Sequence, residues 1–115
     1  MNFHKREGYF NFFHSFQSPF LNITWEVETN DFTGKCKDAG ISTYHWMVHA
    51  LCGAVMDVPE FRWRIGEDDK PVMVETLSPS FTIMKPDGHF NFNTIPYDAD
   101  FAEFNRRALA GRLRA

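Results

Sequence analysis

The feature that most constrains the fold of this chain is an apolar stretch from Tyr44 to Asp57, which has the length of a buried helix. Apolar side chains recur along it at three- and four-residue steps: Tyr44, Val48, Leu51 and Val55, with Met47 and Ala54 beside them. Ser42 or Thr43 can cap its start, and Pro59 ends it because proline cannot continue a helix. We therefore predict a buried helix that packs across a sheet.

The remaining elements alternate irregularly between helix and strand. Helical patterns run from about His4 to Ser15, from a cap at Asn30 or Asp31 to about Ala39, and onward from Asp100, where Glu103 completes a pattern like a capping box. Alternating or β-rich stretches predict strands at Phe20–Glu28, Phe61–Ile65, Pro71–Leu77, Ser80–Met84 and His89–Asn93. The pattern predicts an α/β or α+β fold, a mixed sheet with packing helices, in a single domain over residues 1–115.

The amino-acid composition and the net charge indicate which classes of partner the chain can bind. The chain has thirteen Phe in 115 residues, and one small core cannot bury that many aromatic side chains. We therefore expect exposed apolar surface and a homo-oligomer. The net charge of −3 gives no basic footprint for nucleic acid. With no apolar run long enough for a bilayer and no signal peptide, we expect no membrane contact and a cytoplasmic protein, in which Cys36 and Cys52 stay free thiols.

The five histidines show no recognisable catalytic arrangement, since none is adjacent to another. His45, His49 and Cys52 share one helical face and could hold a transition metal. No further ligand lies close by in sequence to complete a tetrahedral site. We therefore predict surface histidines and no metal site.

Several motifs, taken in order, resemble the type A chloramphenicol acetyltransferases. The run Val58–Ile65 followed by Pro79–Met84 is similar to the middle of those enzymes. Phe3–Glu7 is similar to the opening of their first helix, and Asp100–Phe104 to the start of a later one. The resemblance covers nearly the whole chain but only about the first half of the family's length. It implies a reduced form of the acetyltransferase sandwich, and a chain that is either a minimal protein or a truncated one.

The resemblance also bears on catalysis. In the family, the general base is the second His of a His-His-x-x-x-Asp-Gly motif in the second half, and this chain lacks that motif. No residue here therefore takes the catalytic role, and we expect no turnover by this chain alone. No cofactor is expected either, unless the chain acts as an acetyltransferase, in which case acetyl-coenzyme A would be needed.

An acceptor-type pocket for a small-molecule ligand is the second implication of the resemblance. The family's pocket positions fall on Phe12 and Phe16 at the end of the first helix, on Ser80, and on Phe90 and Phe92 after the turn. An aromatic pocket with a few polar groups suits a small ligand. The same Phe side chains could equally be ordinary core.

Three functions follow from these observations. The first is a non-catalytic oligomer, with a trimer favoured, that binds and sequesters a small molecule. The second is an O-acetyltransferase of the chloramphenicol type, present as a partial chain or supplied with its His by a partner chain. The third is an inhibitor or structural module that binds another protein.

Overall fold

A computed structural model describes residues 3–114, with side chains through Arg112. The chain forms two compact units, one reaching to Asn30 and the other beginning at Asp31. None of the helices in the described ranges is both long and apolar enough to cross a membrane.

The first unit is built around one short helix. A single 3₁₀ turn, Phe3–Lys5, precedes helix α1, Glu7–His14, as the helical pattern predicts. The Ser15 hydroxyl donates to the carbonyl of Phe12 at 2.7 Å, just beyond the last turn. Tyr9, Phe12 and Phe13 of α1 are exposed. The rings of Phe12 and Phe13 touch each other and the ring of Phe16, which follows the helix.

The predicted strand Phe20–Glu28 is wrong for this structure. The segment forms no strand, and no strand in the described part of the chain pairs with it. Its alternating apolar side chains are exposed, among them Leu21 and Trp25. Alternating apolar and polar residues are typical of a half-buried strand, but a strand also needs a neighbouring strand with which its backbone N–H and C=O groups form hydrogen bonds.

The second unit carries three helices and two small sheets. Its elements are α2 (Phe32–Asp38), α3 (Thr43–Asp57), a 3₁₀ turn (Pro59–Arg62), β1 (Trp63–Ile65), β2 (Pro71–Met73), β3 (Ser80–Met84), β4 (Phe90–Thr94) and α4 (Phe101–Arg114). Asp31 caps α2, since its carboxylate accepts a hydrogen bond from the Gly34 amide at 3.2 Å. Ser42 caps α3, since its hydroxyl accepts a hydrogen bond from the His45 amide at 3.3 Å.

Both sheets of this unit are two-stranded and antiparallel, β1 with β2 and β3 with β4. In the β3–β4 hairpin Ser80 lies opposite Thr94, and Met84 opposite Phe90. The turn between them contains Gly88 at φ 84°, a left-handed conformation that glycine adopts without steric cost. The predicted fold class, helices packing on β-structure, is confirmed, and the β-structure consists of small antiparallel sheets.

The core lies where α3 and α4 pack on one face of the β3–β4 hairpin. Its buried members come from β3, α4 and the residue after β4: Phe81, Ile83, Ile95, Phe104 and Ala108, with Val48 and Phe101 partly buried beside them. Next to this cluster the Asn93 amide donates to the carbonyl of Ala108 at 3.1 Å. Gly111 makes this approach possible, because a Cβ there would collide with the Asn93 side chain.

Helix α3 presents a different face to the core from the one that the sequence predicts. His45, His49 and Cys52 are its buried residues, whereas Tyr44 and Leu51 from the predicted apolar stripe are 48% and 59% exposed. The prediction that the apolar stripe is buried is therefore wrong for these two residues. A helix can bury a polar face only if its polar atoms find partners there.

Candidate functional site

Three of the five predicted ligand-binding residues share one face of the β3–β4 hairpin. Directly opposite residues of an antiparallel pair point to the same side, and residues two apart along a strand do so too. The hairpin therefore has an outer face, opposite the core, made by Ser80, Thr82, Met84, Phe90, Phe92 and Thr94. All six of these residues are exposed.

One end of the outer face is polar. The Thr94 hydroxyl donates to the Ser80 hydroxyl at 2.9 Å, across the register pair that joins the two strands. A hydroxyl that accepts one hydrogen bond can still donate another, so Ser80 can donate to an oxygen of a bound molecule. Sequence reasoning included Ser80 and missed Thr94, which only the strand register places beside it.

The other end of the outer face is aromatic. The rings of Phe90 and Phe92 meet edge to face, with centroids 5.9 Å apart and planes at 88°. These side chains are 64% and 66% exposed, whereas Phe81 on the opposite face is 6% exposed. The two rings thus lie outside the core of this unit, with open surface available for an apolar or aromatic molecule.

The remaining two predicted residues belong to the first unit. Phe12 lies in the last turn of α1 and Phe16 just beyond its end, with ring centroids 5.0 Å apart. Phe12 also lines a shallow depression of about 460 Å³ with Tyr9, Phe13, Lys5 and Gly8. The structure groups Phe12 with Phe16 in one unit, and Ser80 with Phe90 and Phe92 in the other. That all five line one site stays a prediction.

The histidines of α3 are buried, so the prediction of surface histidines is wrong. His45 Nδ1 lies 2.8 Å from the amide oxygen of Asn105, and His49 Nε2 lies 2.9 Å from the carbonyl of Asp98. Since both oxygens accept, each imidazole donates a hydrogen bond across the α3–α4 contact. These partners satisfy the polar face of α3, and no group of three or more metal-ligating side chains forms among the described residues.

The His49 ring fits into a set of aromatic rings. It stacks on Trp46 and Tyr97, at 5.7 and 5.3 Å between centroids, and meets Phe101 and Phe104 at 5.4 and 5.2 Å. Such packing explains why a histidine lies here beside the apolar core. Its hydrogen bond and its rings together make it a structural residue of the α3–α4 contact.

His89, in the β3–β4 turn, is the remaining histidine of the second unit. Its Nδ1 lies 3.3 Å from the Asp87 carboxylate, and both side chains are exposed. The Lys85 amide donates to the His89 carbonyl at 2.7 Å, which continues the ladder by one residue. Successive residues alternate between faces, so His89 points away from the side that carries Phe90. The outer face of the hairpin has no imidazole from this turn.

The start of α4 carries a charged network in place of the predicted capping box. The Asp100 carboxylate accepts from the Ala102 amide at 3.0 Å and so caps the helix. Glu103 instead accepts from Arg106 and Arg107, each at 2.7 Å. These hydrogen bonds, first from Arg106 and then from Arg107, lower the pKa of Glu103 from 4.5 to about 2.

The sequence and the fold of this chain are similar to those of known proteins. The family model described as chloramphenicol acetyltransferase matches residues 1–110. A solved chain described as chloramphenicol acetyltransferase has 36% sequence identity and a TM-score of 0.81, covering 92% of this chain and 50% of that one. The present chain thus spans about half the length of that relative. A search of curated proteins finds no match.

Proposed function

Since the chain belongs to the chloramphenicol acetyltransferase family, we propose that the outer face of the β3–β4 hairpin is one wall of a site for a small aromatic molecule that carries a hydroxyl group. By itself the chain holds this molecule and does not acetylate it. The family resemblance also implies ligand contacts for Phe12 and Phe16 of the first unit, and this stays a prediction.

The observation that carries the proposal is the pairing of two kinds of chemistry on one exposed face. Phe90 and Phe92 offer ring surface to an aromatic or apolar group, a contact that favours burial from water. Ser80 and Thr94 offer hydroxyls at the other end of the same face. A ligand with an apolar body and polar substituents matches such an arrangement.

The holding role rests on what the three histidines of the second unit do. Transfer of an acyl group to a hydroxyl needs a base within hydrogen-bond reach of that hydroxyl. In the second unit His45 and His49 donate across the α3–α4 contact, and His89 pairs with Asp87 off the outer face. A positioned base contributes roughly 10²- to 10⁴-fold in rate, so binding without turnover is the expected behaviour.

A second candidate function is acetyl transfer from acetyl-coenzyme A, with the base supplied by another polypeptide segment. It is favoured by the solved relative, which carries the name of an acetyltransferase and is about twice as long as this chain. In that case the outer face would position the acceptor hydroxyl and the missing base would complete the site.

The proposal includes a homo-oligomer, with a trimer favoured. In the resembled family the acceptor sites lie between subunits, so the exposed rings of the outer face would meet a neighbouring copy around the ligand. Two-stranded sheets also leave unpaired strand edges that can pair with another chain. Light scattering at micromolar concentration should give a trimer mass, and a stable monomer would contradict this part.

The test uses chloramphenicol as the probe, an aromatic molecule with hydroxyl groups, in a calorimetric titration of the full chain. We expect saturable binding that Phe92→Ala weakens at least tenfold. Val72→Ala is the matched control, since Val72 is an exposed apolar residue of β2 in the other hairpin. Equal effects of the two variants, or no binding at all, would refute the proposed face.

A parallel incubation with acetyl-coenzyme A separates the two candidate functions. Mass spectrometry of chloramphenicol should detect no acetylated product above the enzyme-free rate. Turnover by the chain alone would overturn the holding role. Turnover that appears only when the unmatched half of the solved relative is added would favour the second candidate.

A further inference from the structure

Helix α3 is nearly devoid of charge on every side. Among its fifteen residues, Thr43–Asp57, the single Asp or Glu is Asp57 at the last position, and there is no Lys or Arg. Helices that face water on one side normally carry charged residues on that side. A helix that is apolar all round is typical of a protein interior, with neighbours on more than one side.

In the described part of the second unit, α3 contacts α2, α4, the 3₁₀ turn that follows it and the β3–β4 hairpin. His45, His49 and Cys52 are buried. Three apolar residues remain 48%, 37% and 59% exposed and form an outer stripe: Tyr44, Met47 and Leu51. The Tyr44 ring, at the edge of this stripe, meets Phe81 with ring centroids 5.7 Å apart. The three residues of the stripe recur at three- and four-residue steps, so they form one continuous surface along the helix.

The outer stripe of α3 is too apolar to be an ordinary solvated surface. Ala50 and Ala54 are exposed on the same side, so no charged side chain of α3 interrupts it. Contiguous exposed apolar surface of this kind marks a place where another polypeptide packs. The spacing is also that of a helix laid on a second apolar layer.

The comparison with the solved relative indicates which polypeptide that is. The relative shares the fold of this chain over 92% of its residues and then has as much chain again, because the match covers 50% of it. The relative therefore has a further segment of similar length that can cover apolar surface of the shared half. Met47 and Leu51 of the outer stripe are exposed and lie away from the residues of α3 that contact α4.

We propose that the outer stripe of α3 is the docking surface for a polypeptide corresponding to the unmatched half of the solved relative. The contact is apolar, and we expect an apolar layer of that half to pack along the stripe over Tyr44, Met47 and Leu51. The inference does not depend on the ligand proposed for the outer face of the hairpin, which uses other residues.

The experiment co-expresses the full chain with the unmatched half of the solved relative, tagged on that half. We expect the two to co-purify as a one-to-one complex by native mass spectrometry. Leu51→Glu should weaken the complex at least 100-fold, since it places a charge in the apolar contact. Leu109→Glu is the control, because Leu109 is a half-exposed leucine of α4.

Each outcome decides the matter. A complex lost with Leu51→Glu and kept with Leu109→Glu supports the proposal. Failure of the wild-type chain to co-purify, or equal effects of the two variants, overturns it. Self-association of the chain alone that disappears with Leu51→Glu would also overturn it, since a second copy would then cover the stripe. Circular dichroism checks that both variants fold, as expected for exposed positions.

Discussion

Replacing Phe92 with alanine should hardly change the free energy of unfolding, whereas the same change at Phe104 should lower it severely. Phe92 is 66% exposed. Full burial of a Phe contributes about 1.5–3 kcal/mol, so its buried third accounts for about 0.5–1 kcal/mol. Phe104 is 0% exposed and lies in the core cluster. Truncating such a ring costs roughly 3–5 kcal/mol, since it also leaves a cavity.

Thermal melting followed by circular dichroism measures both variants in parallel. Each 1 kcal/mol corresponds to roughly 4–8 °C in Tm for a domain of 60–100 residues. Phe92→Ala should therefore stay within a few degrees of the wild type, while Phe104→Ala should fall by well over ten. The melts are repeated over a protein concentration series, because oligomerisation raises Tm by mass action. If Phe92→Ala is as damaging as Phe104→Ala at every concentration, Phe92 belongs to a core and the outer face is not a ligand surface.

Three further predictions concern the charged start of α4, the α3–α4 contact and the contact of α4 with β4. The pKa of Glu103 in the folded state is lowered to about 2, so the stability that its ionised carboxylate contributes is present above pH 4.5 and is lost as the pH falls toward 2. In an acid titration followed by circular dichroism, Glu103→Gln should therefore show a smaller loss of stability between pH 4.5 and 2 than the wild type. Identical titration curves would argue against the pairing of Glu103 with the two arginines. His49→Phe should cost about 1–3 kcal/mol in urea unfolding, because the Asp98 carbonyl loses its donor, and no loss would mean that the hydrogen bond is unimportant. Gly111→Ala should destabilise by about 1–3 kcal/mol through its collision with Asn93, and a wild-type Tm would show that Asn93 moves aside freely.

The outer face of the hairpin illustrates what the sequence can predict. Alternation along β3 and the Lys85–Gly88 turn predict two antiparallel strands, and the turn residues fix where the strands reverse. Once the register is set, the period of two assigns every side chain to a face. Phe90 and Phe92 therefore share a face with Ser80 as a consequence of local chemistry.

The buried face of α3 illustrates what the sequence cannot predict. His45 is satisfied by Asn105, 60 residues later, and His49 by the carbonyl of Asp98, 49 residues later. No pattern within the helix encodes partners that far away, and the apolar stripe alone favours the opposite side. The strand prediction for Phe20–Glu28 is wrong for a related reason. Its alternating pattern is typical of a strand, but whether a strand forms depends on a pairing partner elsewhere in the chain.

The β3 strand divides its side chains between two tasks. Phe81 and Ile83 point into the core and hold the hairpin against α3 and α4, while Ser80, Thr82 and Met84 alternate with them on the outer face. Substitutions on the outer face remove little buried area, so they can alter ligand contacts without unfolding the unit. The same alternation makes the outer face dependent on the core for its geometry, because a register slip of one residue would exchange the two faces. A ligand that binds only the correctly paired hairpin would therefore stabilise that register, because binding to the native state raises the free energy of unfolding of the protein.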